Sequence, residues 1–439
     1  MCASVSCESD YDEKKLIIRF ETTRLDSRRP LVEARRANVI RIYENILNNS
    51  NKKRIALAGG YAAAEALRQV EPDVMAVYPI TPQTTIIETF AKYKADGETE
   101  TELIEVESEH SAMSACVGSS AAGARTVTAT SSQGLAYMHE VLYIASGMRL
   151  PILMVVSARA LSAPLNIHGD HSDVMGARDA GWIQIFSENA QEIYDNTIIG
   201  MKLAEKTKLP VMAIMDGFNT SHCVENLDLL QDAQVRSFVG EFSPERHLLD
   251  PENPVTFGPV ALQNSYFEFK VQQEEAMEKS KAVYLEVAKE FERLTGRKKD
   301  FFESYELEDA ESVIVLAGST AGTTKDVVDA LRREGRKVGL LKINLFRPFP
   351  VEEILVALKN AKNIAIMERV ISPGTFPPIY NDIVAGLYQQ VTGEKKNIQS
   401  IVYSLGGRDI FAKDIQKIFA DLETEKVTKN IKYIGLNKA

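Results

Sequence analysis

The feature that most limits what this chain can fold into is a regular alternation, from Ile55 to Ser221, of short apolar runs with longer stretches of helical spacing. Residues 74–77, 103–106, 126–130, 152–156 and 211–214 are dense in aliphatic and β-branched side chains and read as strands. Between them, 60–70, 83–94, 109–122, 134–148 and 189–206 carry helix-length patterns. Strands that are apolar along nearly their whole length are covered on both faces, so the alternation predicts an α/β domain with a parallel sheet between helical layers. It resumes at 312–316, 338–343, 364–367 and 401–403, which predicts a second, smaller α/β domain. Between the two, Met277, Tyr284, Val287, Phe291 and Leu294 mark a long amphipathic helix stopped by Gly296.

At 439 residues the chain exceeds what a single core usually supports. The expected division is an N-terminal extension over 1–51, a first α/β domain over 52–224, a connecting arm and long helix over 225–305, and a second α/β domain over 306–439. In the extension, 16–20 reads as a short strand, and Val32, Val39, Ile40, Tyr43, Ile46 and Leu47 fall at helical spacing. Pro244, Pro251, Pro254 and Pro259 interrupt the arm. A net charge of −10 and a pI near 5.4 argue against nucleic acid or an anionic membrane as partner. Cys2, Cys7, Cys116 and Cys223 form no C-x-x-C pair, so neither an iron–sulfur cluster nor a disulfide framework is expected on this chain. No apolar run approaches the ~18 residues that span a bilayer, and the first residues lead into acidic ones rather than a basic leader. A cytoplasmic location is expected.

Several turns at the ends of the predicted strands carry chemically capable residues. In Tyr78-Pro-Ile-Thr81-Pro82, two prolines stiffen the loop and hold the Thr81 hydroxyl in one place. Glu109 follows Ser108, a good N-cap, and by position alone reads as a carboxylate complementing a helix start. Arg159 follows the 152–156 strand, at the end of a parallel sheet where ligands collect. By position it reads as a surface ion pair, yet a guanidinium also offers two parallel donors to a carboxylate. Ser131-Ser-Gln-Gly134 is a strand-to-helix turn. His168 and His171 are three apart, but with no third ligand and no helix expected there they read as hydrogen-bonded loop groups.

Taken in order, Tyr78–Pro82, Val106-Glu-Ser-Glu109-His110, Thr130–Gly134, Ser157-Ala-Arg159-Ala and Gly169-Asp-His171-Ser-Asp173 resemble the α subunit of the pyruvate:ferredoxin oxidoreductase family. The resemblance runs from about Lys53 to Asp421. It implies a thiamine-diphosphate pyrimidine-binding domain followed by a transketolase C-terminal-like domain. By that resemblance Glu109 faces N1′ of the cofactor's aminopyrimidine, Pro79 and Ile80 line the cofactor, and Thr81 and Arg159 hold the carboxylate of a 2-oxoacid. The family holds Mg²⁺ and the diphosphate with G-D-G and an Asn roughly 25 to 30 residues later, a set of hard oxygen ligands. This chain has no G-D-G, and Met215-Asp-Gly-Phe-Asn219 is a poor substitute. Thiamine diphosphate is therefore expected to be shared with a β subunit carrying the diphosphate and Mg²⁺ site. Iron–sulfur clusters are expected on partners, among them γ and ferredoxin-like δ subunits. The implied reaction converts pyruvate and coenzyme A to acetyl-CoA and CO₂, or the reverse, with electrons passed to ferredoxin. Alternatives are 2-oxoisovalerate or 2-oxoglutarate as substrate, or a non-catalytic scaffold that binds a β-type partner. The joint presence of Thr81, Glu109 and Arg159 speaks against the scaffold.

Overall fold

The computed structural model describes residues 53–389, 396–424 and 430–437, and the extension expected over 1–51, with its strand and its helical segment, lies outside them. The two large sheets belong to one compact unit.

The first sheet has seven strands in the order β12-β6-β7-β5-β4-β2-β3. These are β2 (Val74–Val77), β3 (Glu102–Glu105), β4 (Thr126–Thr130), β5 (Ile152–Ala158), β6 (Ile183–Ser187), β7 (Val211–Asp216) and β12 (Leu345–Arg347). All neighbours pair parallel except β12, which runs antiparallel to β6. β5 and β7 are buried over their full lengths and occupy the centre, as uninterrupted apolar strands should. The second sheet, β15-β14-β13-β10-β11-β9, is built from β9 (Phe302–Tyr305), β10 (Ser312–Ala317), β11 (Val338–Ile343), β13 (Asn363–Glu368), β14 (Asn397–Tyr403) and β15 (Lys432–Ile434), with only β9 antiparallel. A small antiparallel ribbon pairs β1 (Lys53–Ala58) with β8 (Val224–Leu229).

Side-chain alternation along the strands sorts the interior into three cores. Leu153 and Val155 of β5 face one core, packed with Ala62, Leu67, Ile86, Phe90, Ile198 and Leu203. Ile152, Met154, Val156 and Ala158 face the other way, into a core that also receives Val313 and Val315 of β10 and Leu341 and Ile343 of β11. Ile314 and Leu316 point outward into a third core with Val328 and Phe419. Because a strand presents successive residues to opposite faces, the middle core is shared, and the two sheets are joined through it.

Two of the first sheet's helices begin where local chemistry supplies a cap. In α3 (Glu109–Ala121) the Ser108 hydroxyl accepts from Ser111 N–H at 3.2 Å, and in α7 (Ala190–Thr207) Asn189 Oδ1 accepts from Glu192 N–H at 2.9 Å. The long helix α9 (Tyr266–Thr295) ends at Gly296 with φ +74, and only its second half is buried, through Tyr284, Val287, Ala288 and Phe291. Several elements depart from the sequence reading, among them β1, β8, β9 and β15, for which no strand is expected, and three more with a visible reason. β6 carries Gln184, wholly buried with its amide donated to Val174 C=O, and that polar residue breaks the apolar run. β12 is three residues that acquire a partner only from a distant part of the chain. A short helix, α6 (Ser172–Gly176), forms where a loop was expected.

Candidate functional site

The turns that follow β2, β3, β4 and β5 meet at the same end of the parallel strands, which run in one direction. After β2, buried Gln83 anchors the Tyr78–Pro82 turn, its amide donating to Ala129 C=O at 2.6 Å and to Tyr78 C=O at 3.4 Å. Pro79 and Thr81 are exposed on that turn, and Ile80 is half-buried.

Glu109 opens α3 after the Ser108 cap and is only 8% exposed. Among the described residues no hydrogen bond or ion pair reaches its carboxylate. The carboxylate therefore keeps its accepting capacity for a group from outside the described residues. It abuts Gly134, where a methyl group would stand 2.8 Å from Glu109 Oε1 and 2.5 Å from Thr130 Oγ1. The Thr130 hydroxyl is itself buried without a partner. The Glu109 carboxylate, unpaired and packed against a glycine, suits a heterocycle that brings its own donor, so it fits an aminopyrimidine.

Arg159, 5% exposed, makes no ion pair among the described residues, and the surface-pair reading does not hold. Its Nε donates to Asn166 C=O at 3.0 Å and its Nη1 to Thr81 C=O at 2.8 Å. Burial lowers its pKa, partly offset by Asp173. With Nε engaged, only the outer Nη1/Nη2 edge is left to meet a carboxylate, and the guanidinium is aimed by two backbone carbonyls.

Asp173, which sequence reasoning left as part of a motif, is the joint between these turns. One oxygen accepts from Ser132 N–H at 2.7 Å and Arg159 N–H at 3.0 Å, and the other from Val174 N–H at 2.7 Å. Burial pushes its pKa up to about 7, against the pull of those N–H donors. Ser132, with φ +49, also donates its hydroxyl to Ala160 C=O at 2.6 Å. Glu109 abuts Gly134, and the turn that carries Gly134 is linked through Ser132 N–H to Asp173, and from there to Arg159 and Thr81.

Asp216, at the end of β7, is committed elsewhere. Its carboxylate meets His171 Nε2 at 2.6 Å, Ser319 N–H at 2.8 Å, the Ser319 hydroxyl at 2.6 Å and Arg369 Nη1 at 2.7 Å. Burial raises its pKa, but Arg369 and His171 outweigh that and hold it well below the usual carboxylate range. This network ties the first sheet to turns of the second and leaves Asp216 no free edge for a metal. His168 lies tilted against Phe218 with 5.0 Å between ring centres, whereas His171 is bound to Asp216. Glu188, Glu192 and Glu303 are the other grouping with metal-like spacing, but Lys342 Nζ stands among them at 2.8, 2.7 and 2.8 Å. Neither group fits Mg²⁺ with a diphosphate.

Residues 65–289 match the pyruvate flavodoxin/ferredoxin oxidoreductase thiamine diphosphate-binding family, and residues 310–415 match pyruvate:ferredoxin oxidoreductase core domain II. The chain is 52% identical over 389 residues to pyruvate synthase subunit PorA of Thermotoga maritima, covering 88% of this chain and 99% of that protein. It is 46% identical over 386 residues to the PorA subunit of Methanocaldococcus jannaschii, covering 87% and 98%. Among solved structures, 2-oxoglutarate:ferredoxin oxidoreductase from Magnetococcus marinus, with 2-oxoglutarate, coenzyme A and succinyl-CoA bound, shares the fold. That match has a TM-score of 0.63 at 20% identity and covers 84% of this chain and 65% of that one.

Proposed function

The chain belongs to the pyruvate:ferredoxin oxidoreductase family, and from that membership we propose that it is the α subunit of a thiamine-diphosphate-dependent pyruvate synthase. The observation that carries the reading is the unpaired Glu109 carboxylate at one end of a series of linked turns whose other end carries the aimed guanidinium of Arg159. The division we propose is 52–224, 225–305 and 306–439, with β9 joining the second sheet from the end of the arm and β12 crossing back into the first sheet.

Thiamine diphosphate supplies the nucleophilic carbon for 2-oxoacid decarboxylation. Glu109 would hold the aminopyrimidine N1′ and govern its proton, and Pro79 and Ile80 would line the ring. Thr81 and the outer edge of Arg159 orient the substrate carboxylate, a positioning contribution made before that group is lost. The diphosphate and Mg²⁺ are assigned to a β subunit, a reading supported by the engagement of Asp216 with Arg369 and of the Glu188–Glu192–Glu303 group with Lys342 among the described residues. Iron–sulfur clusters on γ or ferredoxin-like δ partners would carry the electrons to ferredoxin, and coenzyme A would be the acetyl acceptor. Among the described residues no helix is long and apolar enough to cross a membrane, in keeping with a cytoplasmic complex.

Two measurements test this. Calorimetry of the isolated chain with Mg²⁺ and thiamine diphosphate should show weak binding, whereas micromolar affinity without a partner would refute the shared site. In the assembled complex, Glu109→Gln should slow C2–H/D exchange of the cofactor by ~10² to 10⁴, the usual cost of losing an acid–base group. Exchange at the wild-type rate would reduce Glu109 to a helix-start carboxylate.

A further inference from the structure

Nothing in the turn after β5 alone explains why the Arg159 guanidinium stays where it is, since its Nε rests on the carbonyl of Asn166, a loop residue seven positions on. That loop is fastened from outside. Asn166 Nδ2 donates to Gly406 C=O at 3.1 Å, and Asn166 Oδ1 accepts from His168 N–H at 2.7 Å. One turn further, Gly407 N–H donates to Gly169 C=O at 2.9 Å, and Ala160 N–H donates to His168 C=O at 3.1 Å. Gly406 and Gly407 lie in the short 3-10 turn Leu405–Gly407 that leaves β14, the strand of the second sheet that precedes it.

The fit between turn and loop is close. Gly406 has φ +60 and Gly407 φ +78, a conformation that favours glycine. A methyl group on Gly406 would collide with Asn166 Nδ2, and one on Gly407 with the Cβ of His168. Two hydrogen bonds and two glycine-only approaches therefore place the 166–169 loop against the second sheet, and the main chain of that loop in turn holds Nε of Arg159.

We propose that Asn166 is a positioning residue for the 2-oxoacid site: through its bond to Gly406, the turn after β14 sets the angle at which Arg159 meets the substrate carboxylate. The second α/β unit thereby contributes to substrate affinity without touching the substrate. The proposal rests on the reading of Arg159 as the carboxylate-binding group.

The test uses the assembled complex. Asn166→Ala should raise KM for pyruvate roughly three- to tenfold, the range expected when an orienting neutral hydrogen bond is lost. It should leave kcat within about twofold and C2–H/D exchange of the cofactor at the wild-type rate. Asn166→Asp, which keeps the acceptor for His168 N–H but sets a carboxylate oxygen against Gly406 C=O, should raise KM at least as far. Gly406→Ala should act in the same direction, and the double variant with Asn166→Ala should go no further than the worse single one, because the two remove one shared contact. Arg159→Lys separates the two failures. If Arg159→Lys raises KM and Asn166→Ala does not, the positioning role is overturned and the carboxylate site stands. If neither moves KM, the reading of Arg159 falls and the proposal with it. A parallel fall in kcat, C2–H/D exchange and melting temperature in Asn166→Ala would mark a merely structural residue and also overturn it.

Discussion

Gly134→Ala separates a packing role from a chemical one at the cofactor site. Gly134 lies inside the short helix α4 (Ser132–Tyr137), where alanine is ordinarily the better residue by about 0.5 to 1 kcal/mol. On backbone grounds alone the variant should be neutral or slightly more stable. The added methyl group, however, would stand 2.8 Å from Glu109 Oε1, 2.9 Å from Glu109 Cγ and 2.5 Å from Thr130 Oγ1, where ordinary contact begins at 3.4 Å. Taking 3.4 less 2.8 and 3.4 less 2.5, the carboxylate must retreat by about 0.6 Å and the hydroxyl by about 0.9 Å. The Ser108 cap that fixes α3 is untouched, so the side chain rather than the helix has to move. Misplacing a catalytic group by ~1 Å can cost ~10² in rate. The expected result is a 10- to 100-fold slower C2–H/D exchange, smaller than for Glu109→Gln, with melting temperature unchanged or modestly lowered, because overpacking offsets the helix gain. The assay is exchange followed by NMR on the assembled complex, with a thermal scan of the same sample. Wild-type exchange with an intact fold would show that the exact place of the Glu109 carboxylate does not matter and would refute the argument.

Arg159→Lys should raise the KM for the 2-oxoacid and leave cofactor and coenzyme A affinity alone, because an ammonium cannot keep two carbonyl anchors and still offer a planar edge; Thr81→Val should shift KM the same way and less, and steady-state kinetics would read both. Lys342→Met should destabilise the chain by ~1 to 3 kcal/mol in a denaturant titration, since it removes the most buried cation among three carboxylates and leaves them to Lys325 and Lys299. The same cluster sets an acid limit: burial raises the pKa of Glu192, but Lys299 and Lys342 outweigh it and hold the folded value at about 2, below its ordinary 4.5. A lowered carboxylate contributes stability above about pH 4.5 that is lost as pH falls toward 2, so circular dichroism should show a loss in that window that Lys342→Met blunts. Arg369→Met should cost ~3 to 5 kcal/mol by leaving Asp216 buried and underpaired, and an unchanged melting temperature would contradict the clamp between the sheets.

The parallel sheets were legible in the chain because their strands are local apolar runs whose burial needs no knowledge of neighbours. β4, β10 and β11 follow the patterns of 126–130, 312–316 and 338–343 closely for that reason. The Ser108–Glu109 helix start was equally local, as a cap requires only the residues within one turn. Arg159 and Thr81 could be singled out as residues, but not the fact that a carbonyl of one aims the guanidinium of the other across 78 positions. What the tertiary structure alone decided were the polar contacts of long sequence separation. Asp173 bridging two turns, Asp216 claimed by Arg369, Lys342 seated among Glu188, Glu192 and Glu303, and Asn166 held by Gly406 all depend on where chains cross. Hydrophobic patterning is written into a segment because each apolar residue leaves water wherever the core happens to be, whereas a hydrogen bond needs a specific partner at a specific angle, and only the assembled fold supplies it.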